Sequence, residues 1–247
     1  MKVLKKPLPR SAAAACATLL GMFSMLAQSE STVTADRNGN INQRSIGVFK
    51  SNTWSDEFAQ GGQVVSETKA LPVFSRLKLG VPAELFYREN GRSSIDIEGA
   101  VGTLATLRIE VRAGTLFIDS DRARPGPLQL VVSGTGLRGA SISSSADAVF
   151  DGLQGLSFEL AVSGTADISL NGKVRECSLA AQGSADIDQA ELLCGTLQLS
   201  VIGAGDIAVY AAKSLQGRVQ GAGDLKVHGQ PQQRAVQASG AFDIEYL

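Results

Sequence analysis

The chain has 247 residues, 44% of them apolar but only 5% aromatic, with 27 glycines and a formal net charge of −1. That length fits one large domain or two small ones. Few aromatics and much glycine argue against a bulky globular core. They suit thin strands joined by tight turns, because Gly reaches positive φ without steric cost.

Lys2, Lys5, Lys6 and Arg10 make a basic start, and an uncharged, largely apolar run extends from Ser11 to Ala27. Ala27-Gln28-Ser29 then places small residues where a signal peptidase reads. Residues 1–29 are therefore expected to be a cleaved signal peptide, with an uncleaved membrane anchor as the competing reading. Cys16 lies inside the apolar run, which continues through Leu19, Leu20, Met22 and Phe23, so a lipid anchor there is disfavoured. Cleavage removes four basic and no acidic residues and leaves 19 Lys and Arg against 24 Asp and Glu, a net −5. That balance gives no electrostatic reason to bind nucleic acid or an anionic membrane surface. No later segment is long and apolar enough to span a bilayer. Export also permits a disulfide between Cys177 and Cys194.

Residues 30–65 are rich in Ser, Thr, Asn, Gln and Gly, with scattered apolar residues that include the single tryptophan, Trp54. They read as a flexible polar leader. From Ser66 the hydrophobic period becomes two: Phe74–Leu79, Ala83–Tyr87, Ile95–Ile97, Leu107–Val111 and Leu116–Ile118 alternate, separated by turns. These are strands with one buried face. Arg124-Pro125-Gly126-Pro127 marks a long turn or a boundary.

Beyond it one element recurs six times, as in Gly164-Thr165-Ala166-Asp167 and Gly203-Ala204-Gly205-Asp206. Its aspartates, Asp147, Asp167, Asp186, Asp206, Asp224 and Asp243, are spaced 20, 19, 20, 18 and 19 residues apart. Such a period without helical periodicity signals a repeat architecture. Apolar residues sit nine, seven and five positions before Asp167, Asp186 and Asp206, and one and three after Asp167, Asp206, Asp224 and Asp243. Two inward-facing strands thus flank each Gly-x-x-Asp corner. Stacked in parallel, they predict an all-β domain over 66–247, a right-handed parallel β-helix of 19–20-residue coils.

Two features of these coils bear on function. Six carboxylates stacked at strand spacing repel by about 0.9 kcal/mol per neighbouring pair even in water. They must accept backbone N–H groups, splay into solvent or hold cations. Acceptance from the carboxylate's own turn is the leading reading, and calcium is the sharper alternative. Beside the corner, Ser141, Ser143, Ser163, Gln182, Ser200, Arg218, Gln220, Gln237 and Ser239 form a nearly uncharged outward face. It reads either as a solvated surface or as a docking face for glycan or protein. No cofactor is implied. Coils of near-constant length leave no loops to wall a catalytic groove, and the lone His228 has no evident Ser or Cys partner, so an enzyme is not expected. Cys177 falls in an inward column and Cys194 three positions earlier in its own repeat. Adjacent coils would set them diagonally, beyond the 7 Å Cα limit for a bridge, which leaves pairing open and disfavoured.

Ser163-Gly164-Thr165-Ala166-Asp167-Ile168 and Gly203-Ala204-Gly205-Asp206-Ile207 resemble the recurring corner of a bacterial exported family, the auto-transporter adhesin head, or GIN domain. Phe74–Leu79 and Gly114–Ile118 are similar to its opening strands. The resemblance covers residues 66–247. It implies a right-handed β-helix outside the inner membrane, in the periplasm or at the cell surface, and no catalytic residues. Ser144 in place of Gly and Phe242 before Asp243 depart from the pattern. The functional expectations are a non-catalytic adhesin or envelope-binding module, a structural envelope protein assembling as a homo-oligomer through an uncapped solenoid end, and, remotely, a glycan-active enzyme.

Overall fold

A computed structural model describes residues 32–35, 41–44, 63–122 and 125–247. The expected signal peptide, Cys16 and Trp54 lie outside the described residues. The chain divides into two compact units, Met1–Lys50 and Ser51–Leu247. In the first, within the expected leader, β1 (Thr32–Ala35) pairs antiparallel with β2 (Ile41–Arg44).

The second unit is one 12-stranded sheet. It begins with β3 (Val64–Ala70), β4 (Arg76–Leu79), β5 (Ala83–Glu89), β6 (Ser94–Ala100), a four-residue helix α1 (Val101–Leu104), β7 (Leu107–Arg112) and β8 (Thr115–Ser120). After Pro125-Gly126-Pro127 come β9 (Leu128–Gly134), β10 (Gly139–Ile142), β11 (Ala146–Ala204), β12 (Ile207–Tyr210), β13 (Ser214–His228) and β14 (Gln233–Tyr246). The Pro-Gly-Pro segment joins strands of the same sheet and is a turn, not a domain boundary. The Gly126 N–H donates to the buried Thr103 hydroxyl at 3.2 Å.

The regular right-handed parallel β-helix expected from the repeat is not what forms. The sheet is mixed and curled: β3–β6, β6–β9 and β7–β8 pair antiparallel. The strand order β3-β6-β9-β5-β11-β10-β4-β8-β7 is far from sequential. The reason lies before Asp147, where no fixed period enforces in-register stacking. Short Gly-containing turns there return the chain as hairpins, as at Ala113-Gly114 between β7 and β8. Where the repeat does operate, pairing is parallel, with Leu197 beside Leu215 and Ile207 beside Leu225.

β11 runs 59 residues without a break in pairing. At about 3.3 Å per residue a straight strand of that length would be about 195 Å long, so it must turn back on itself. It does so at its glycines. Gly183 packs against the carbonyl of Gly164, Gly203 against that of Gly183 and Gly221 against that of Gly203, so the corners lie on top of one another.

The alternation read from sequence is the burial pattern observed: Leu160, Val162, Leu179, Leu199 and Val201 are buried, and the residues between them are outward. Large side chains collect at the mixed end, where Phe74, Tyr87 and Phe150 are fully buried. The Phe150 ring lies 6.1 Å from both Tyr87 and Phe158. Towards β13 the core narrows to Leu, Val, Ala and Gly, which fits the low aromatic content.

Cys177 and Cys194 are bridged, with Cα atoms 6.0 Å apart. The diagonal expected from the repeat assumes strict alternation, which is interrupted here: Val174 and Cys177 are both buried, with exposed Arg175 and Glu176 between them. Gly195 stacks on Arg175, which sets Cys194 in the column of Val174. Val174 and Cys177 both face the core, so Cys194 comes within bonding reach of Cys177. The buried amide of Gln189 donates to Cys194 Sγ at 3.0 Å.

Candidate functional site: the outward face and the aspartate column

All six repeat aspartates are exposed. They do stack: Asp224 lies beside Asp243, and Ile187 beside Ile207 sets Asp186 next to Asp206. The N–H of Asp206 donates to Asp186 Oδ1 at 2.8 Å, and that of Asp224 to Asp206 Oδ1 at 3.2 Å. These carboxylates therefore accept from the neighbouring coil, not from their own turn. A charge-assisted bond of this kind offsets the repulsion between successive carboxylates and locks coil register. Among the described residues no group of three or more His, Cys, Asp or Glu is placed to hold a metal ion.

Asp147 and Asp167 open onto a cleft of about 370 Å³ walled by Pro82, Pro125, Pro127 and Thr165. Partial burial, and secondarily the charge of Asp167, hold the Asp147 carboxyl above its ordinary range. Because the folded pKa is raised, the folded protein binds the proton more readily than the unfolded chain. The resulting cost to stability is present above the folded pKa and is relieved as pH falls through it. Asp147→Asn should therefore raise the melting temperature slightly at pH 7 and leave it unchanged near pH 3. A thermal unfolding series against pH checks this.

The predicted face forms as two adjoining rows. Ser200, Arg218 and Gln237 lie side by side in one row, as do Ile202, Gln220 and Ser239 in the next. Ser143, Ser163, Gln182, Ser200, Arg218, Gln237 and Ser239 are exposed, and Ser141 and Gln220 are half-buried. The Ser143 hydroxyl donates to the Leu79 carbonyl at 3.4 Å. Arg218 Nη2 donates to Gln237 Oε1 at 3.3 Å. Ser144 replaces the corner glycine because its neighbour is the β4–β5 turn, and its hydroxyl donates to the Val81 carbonyl at 2.8 Å. His228 lies beside Tyr210 and is half-buried.

Sequence reasoning missed where this face leads. The row of Ser141 continues across the sheet to Lys78 and then Phe117. The half-exposed Phe117 ring has the Lys78 ammonium 5.5 Å and the Arg112 guanidinium 4.8 Å from its centroid. Arg76 adds an ion pair with Glu159 at 3.1 Å. The Ser/Gln face thus ends in an aromatic platform flanked by cations. The available clue was a Phe at an outward position of an alternating strand. A separate groove of about 870 Å³ is lined by Leu156, Lys173, Arg175, Leu193 and Tyr210.

No curated protein matches the chain. Among solved structures, a putative adhesin from Bacteroides fragilis is 19% identical, with a TM-score of 0.63, over 75% of this chain and 97% of that one. A putative adhesin from Parabacteroides merdae is 13% identical, with a TM-score of 0.46, over 75% and 97%. A putative cell adhesion protein from Clostridium sporogenes is 10% identical, with a TM-score of 0.31, over 75% and 100%. The first of these supports the fold. Residues 73–231, which hold the opening strands and five of the six Gly-x-x-Asp-type corners, match the family described as "putative auto-transporter adhesin, head GIN domain", and the chain belongs to that family.

Proposed function

We propose that the protein is an exported, non-catalytic binding module of the cell envelope or cell surface, and that it docks glycan or protein through the Ser/Gln face and its Phe117 end. The observation that carries this reading is an outward row that runs from the Phe117 ring, with two cations over it, through Lys78 and Ser141 to Ala161, beside the exposed Ser143 and Ser163. Short polar groups donate and accept in fixed directions. An aromatic face adds apolar area at low entropic cost, a combination suited to sugar rings and polypeptide alike. Membership of the adhesin head family agrees with it. The basic start and apolar run of residues 1–27 favour export to the periplasm or cell surface.

Phe117→Ala tests the reading. The purified protein is expected to bind at least one class on a panel of glycans and extracellular-matrix proteins. The variant should lose about tenfold in affinity, which corresponds to about 1.4 kcal/mol, while its melting temperature barely changes. Equal binding by the variant, or no binding by either protein, overturns it.

The second reading, assembly in the envelope through one end of the sheet, is favoured by a different observation: among the described residues β14 is hydrogen-bonded along β13 only, and no described strand pairs with its other edge.

A further inference from the structure

That edge has a shape and a pattern that specify a partner. At positions facing inward, β14 carries Arg234, Val236, Ala238, Phe242, Ile244 and Tyr246, in register with Leu215, Gly217, Val219, Gly223, Leu225 and Val227 of β13. Leu225 and Val227 are fully buried, whereas Ile244 is half-buried and Tyr246 is 39% exposed. The difference arises because, among the described strands, β13 has a neighbour on both sides and β14 on one. Fourteen residues of edge that no described strand pairs, with a partly open apolar face, are a template for strand addition.

We propose that the occupant is a second copy of this chain, whose β14 pairs antiparallel with the first about a two-fold axis through Gly240. This rests on the assembly reading above and adds its partner and register. The strand bends at Gly240, where φ is +96°. A bent strand can pair along both its arms with an antiparallel copy only if the two corners coincide. Corner on corner, each arm before Gly240 lies along the arm after it in the second copy. That register sets Val236 opposite Ile244, Ala238 opposite Phe242 and Arg234 opposite Tyr246. Inward residues thus meet inward residues and the two cores become continuous, as an isologous contact requires. Arg234 already lies over the Tyr246 ring of its own chain at 4.5 Å, so guanidinium on tyrosine is a contact this end of the sheet makes.

The outward positions agree. Glu245 falls opposite Ala235 and Asp243 opposite Gln237, so no like charges meet. The Arg218 guanidinium donates to Gln237 Oε1, which turns the amide nitrogen away as a free donor for the Asp243 carboxylate of the second copy. A shift of two residues either way keeps the faces matched but slides the corners apart and loses this pairing.

Sedimentation velocity on the purified full chain across the micromolar range tests the proposal, with Gln237→Asp as the variant. The change is at an exposed residue beside Arg218 and leaves the fold intact, which circular dichroism verifies. The wild-type protein is expected to sediment as a dimer. Gln237→Asp places two carboxylates opposite each other at two symmetric sites and should weaken the dimer about tenfold. Adding Asp243→Lys should restore it. A monomer at every concentration overturns both the proposal and the assembly reading. Self-association that Gln237→Asp leaves unchanged overturns the register while the assembly reading stands.

Discussion

Gly203→Ala is expected to destabilise the protein by about 3–5 kcal/mol, near the top of the range for single substitutions. Its φ is +144°, where an L side chain is strained at a cost of about 1–3 kcal/mol. Strain is the smaller part. A Cβ at this position would collide with the carbonyl oxygen of Gly183 in the adjacent coil. That oxygen is backbone, so it cannot rotate away as a flexible side chain would. Relieving the clash means separating the coils at the corner and weakening their hydrogen bonds at about 1 kcal/mol each. Gly221→Ala should behave alike, since its added carbon would meet the Gly203 carbonyl. Gly102→Ala in α1 is the control: nothing lies within 4 Å of an added Cβ there, and the change should stay within about 1 kcal/mol of wild type. Urea denaturation of the three variants measures the contrast. A Gly203→Ala protein as stable as wild type would show that the corners do not stack as described.

The second large effect is expected from the disulfide. Cys177 and Cys194 are separated by 17 positions in sequence, and closing a loop of that size is worth about 3 kcal/mol in the unfolded-chain entropy model. Replacing both cysteines by alanine should therefore lower the melting temperature by about 6–12 °C, taking about 2–4 °C per kcal/mol for a domain of this size. Part of the loss is local. The buried Gln189 amide would lose its sulfur acceptor, and a buried donor without a partner carries its own desolvation cost. Gln189→Leu in the cysteine-free background should recover some of that stability, because Leu170, Val209 and Val227 fill the same inward column. Differential scanning calorimetry of the three proteins distinguishes the two contributions.

The candidate site was only half legible. Ser163, Gln182, Ser200 and Gln220 could be assigned to one face from their offset to the aspartates, since a period of two fixes which side of a strand a residue takes. The Phe117 end could not. Phe117 and Ser141 lie 24 residues apart in a stretch without the repeat, and only the pairing of β8 with β4 and of β4 with β10 sets them in one row. The acceptor role of the aspartates was legible, but the donor was not. Asx-turn chemistry suggests the carboxylate's own turn, whereas stacking brings the next coil's N–H within 2.8 Å of Asp186.

The sequence by itself determined that the domain is all-β, which residues face inward, where the corners fall, and the family to which the chain belongs. Alternation and a fixed Gly-x-x-Asp spacing are local properties, enforced by side-chain parity and the conformational freedom of glycine. Only the tertiary structure decided that the sheet is mixed and curled instead of a uniform parallel coil. Parallel and antiparallel neighbours bury the same alternating face and differ in which distant strand supplies the hydrogen bonds. The Cys177–Cys194 bridge was decided at the same level, because Val174 and Cys177 both turn inward across the exposed Arg175 and Glu176, an interruption of the alternation on which the expected diagonal rests.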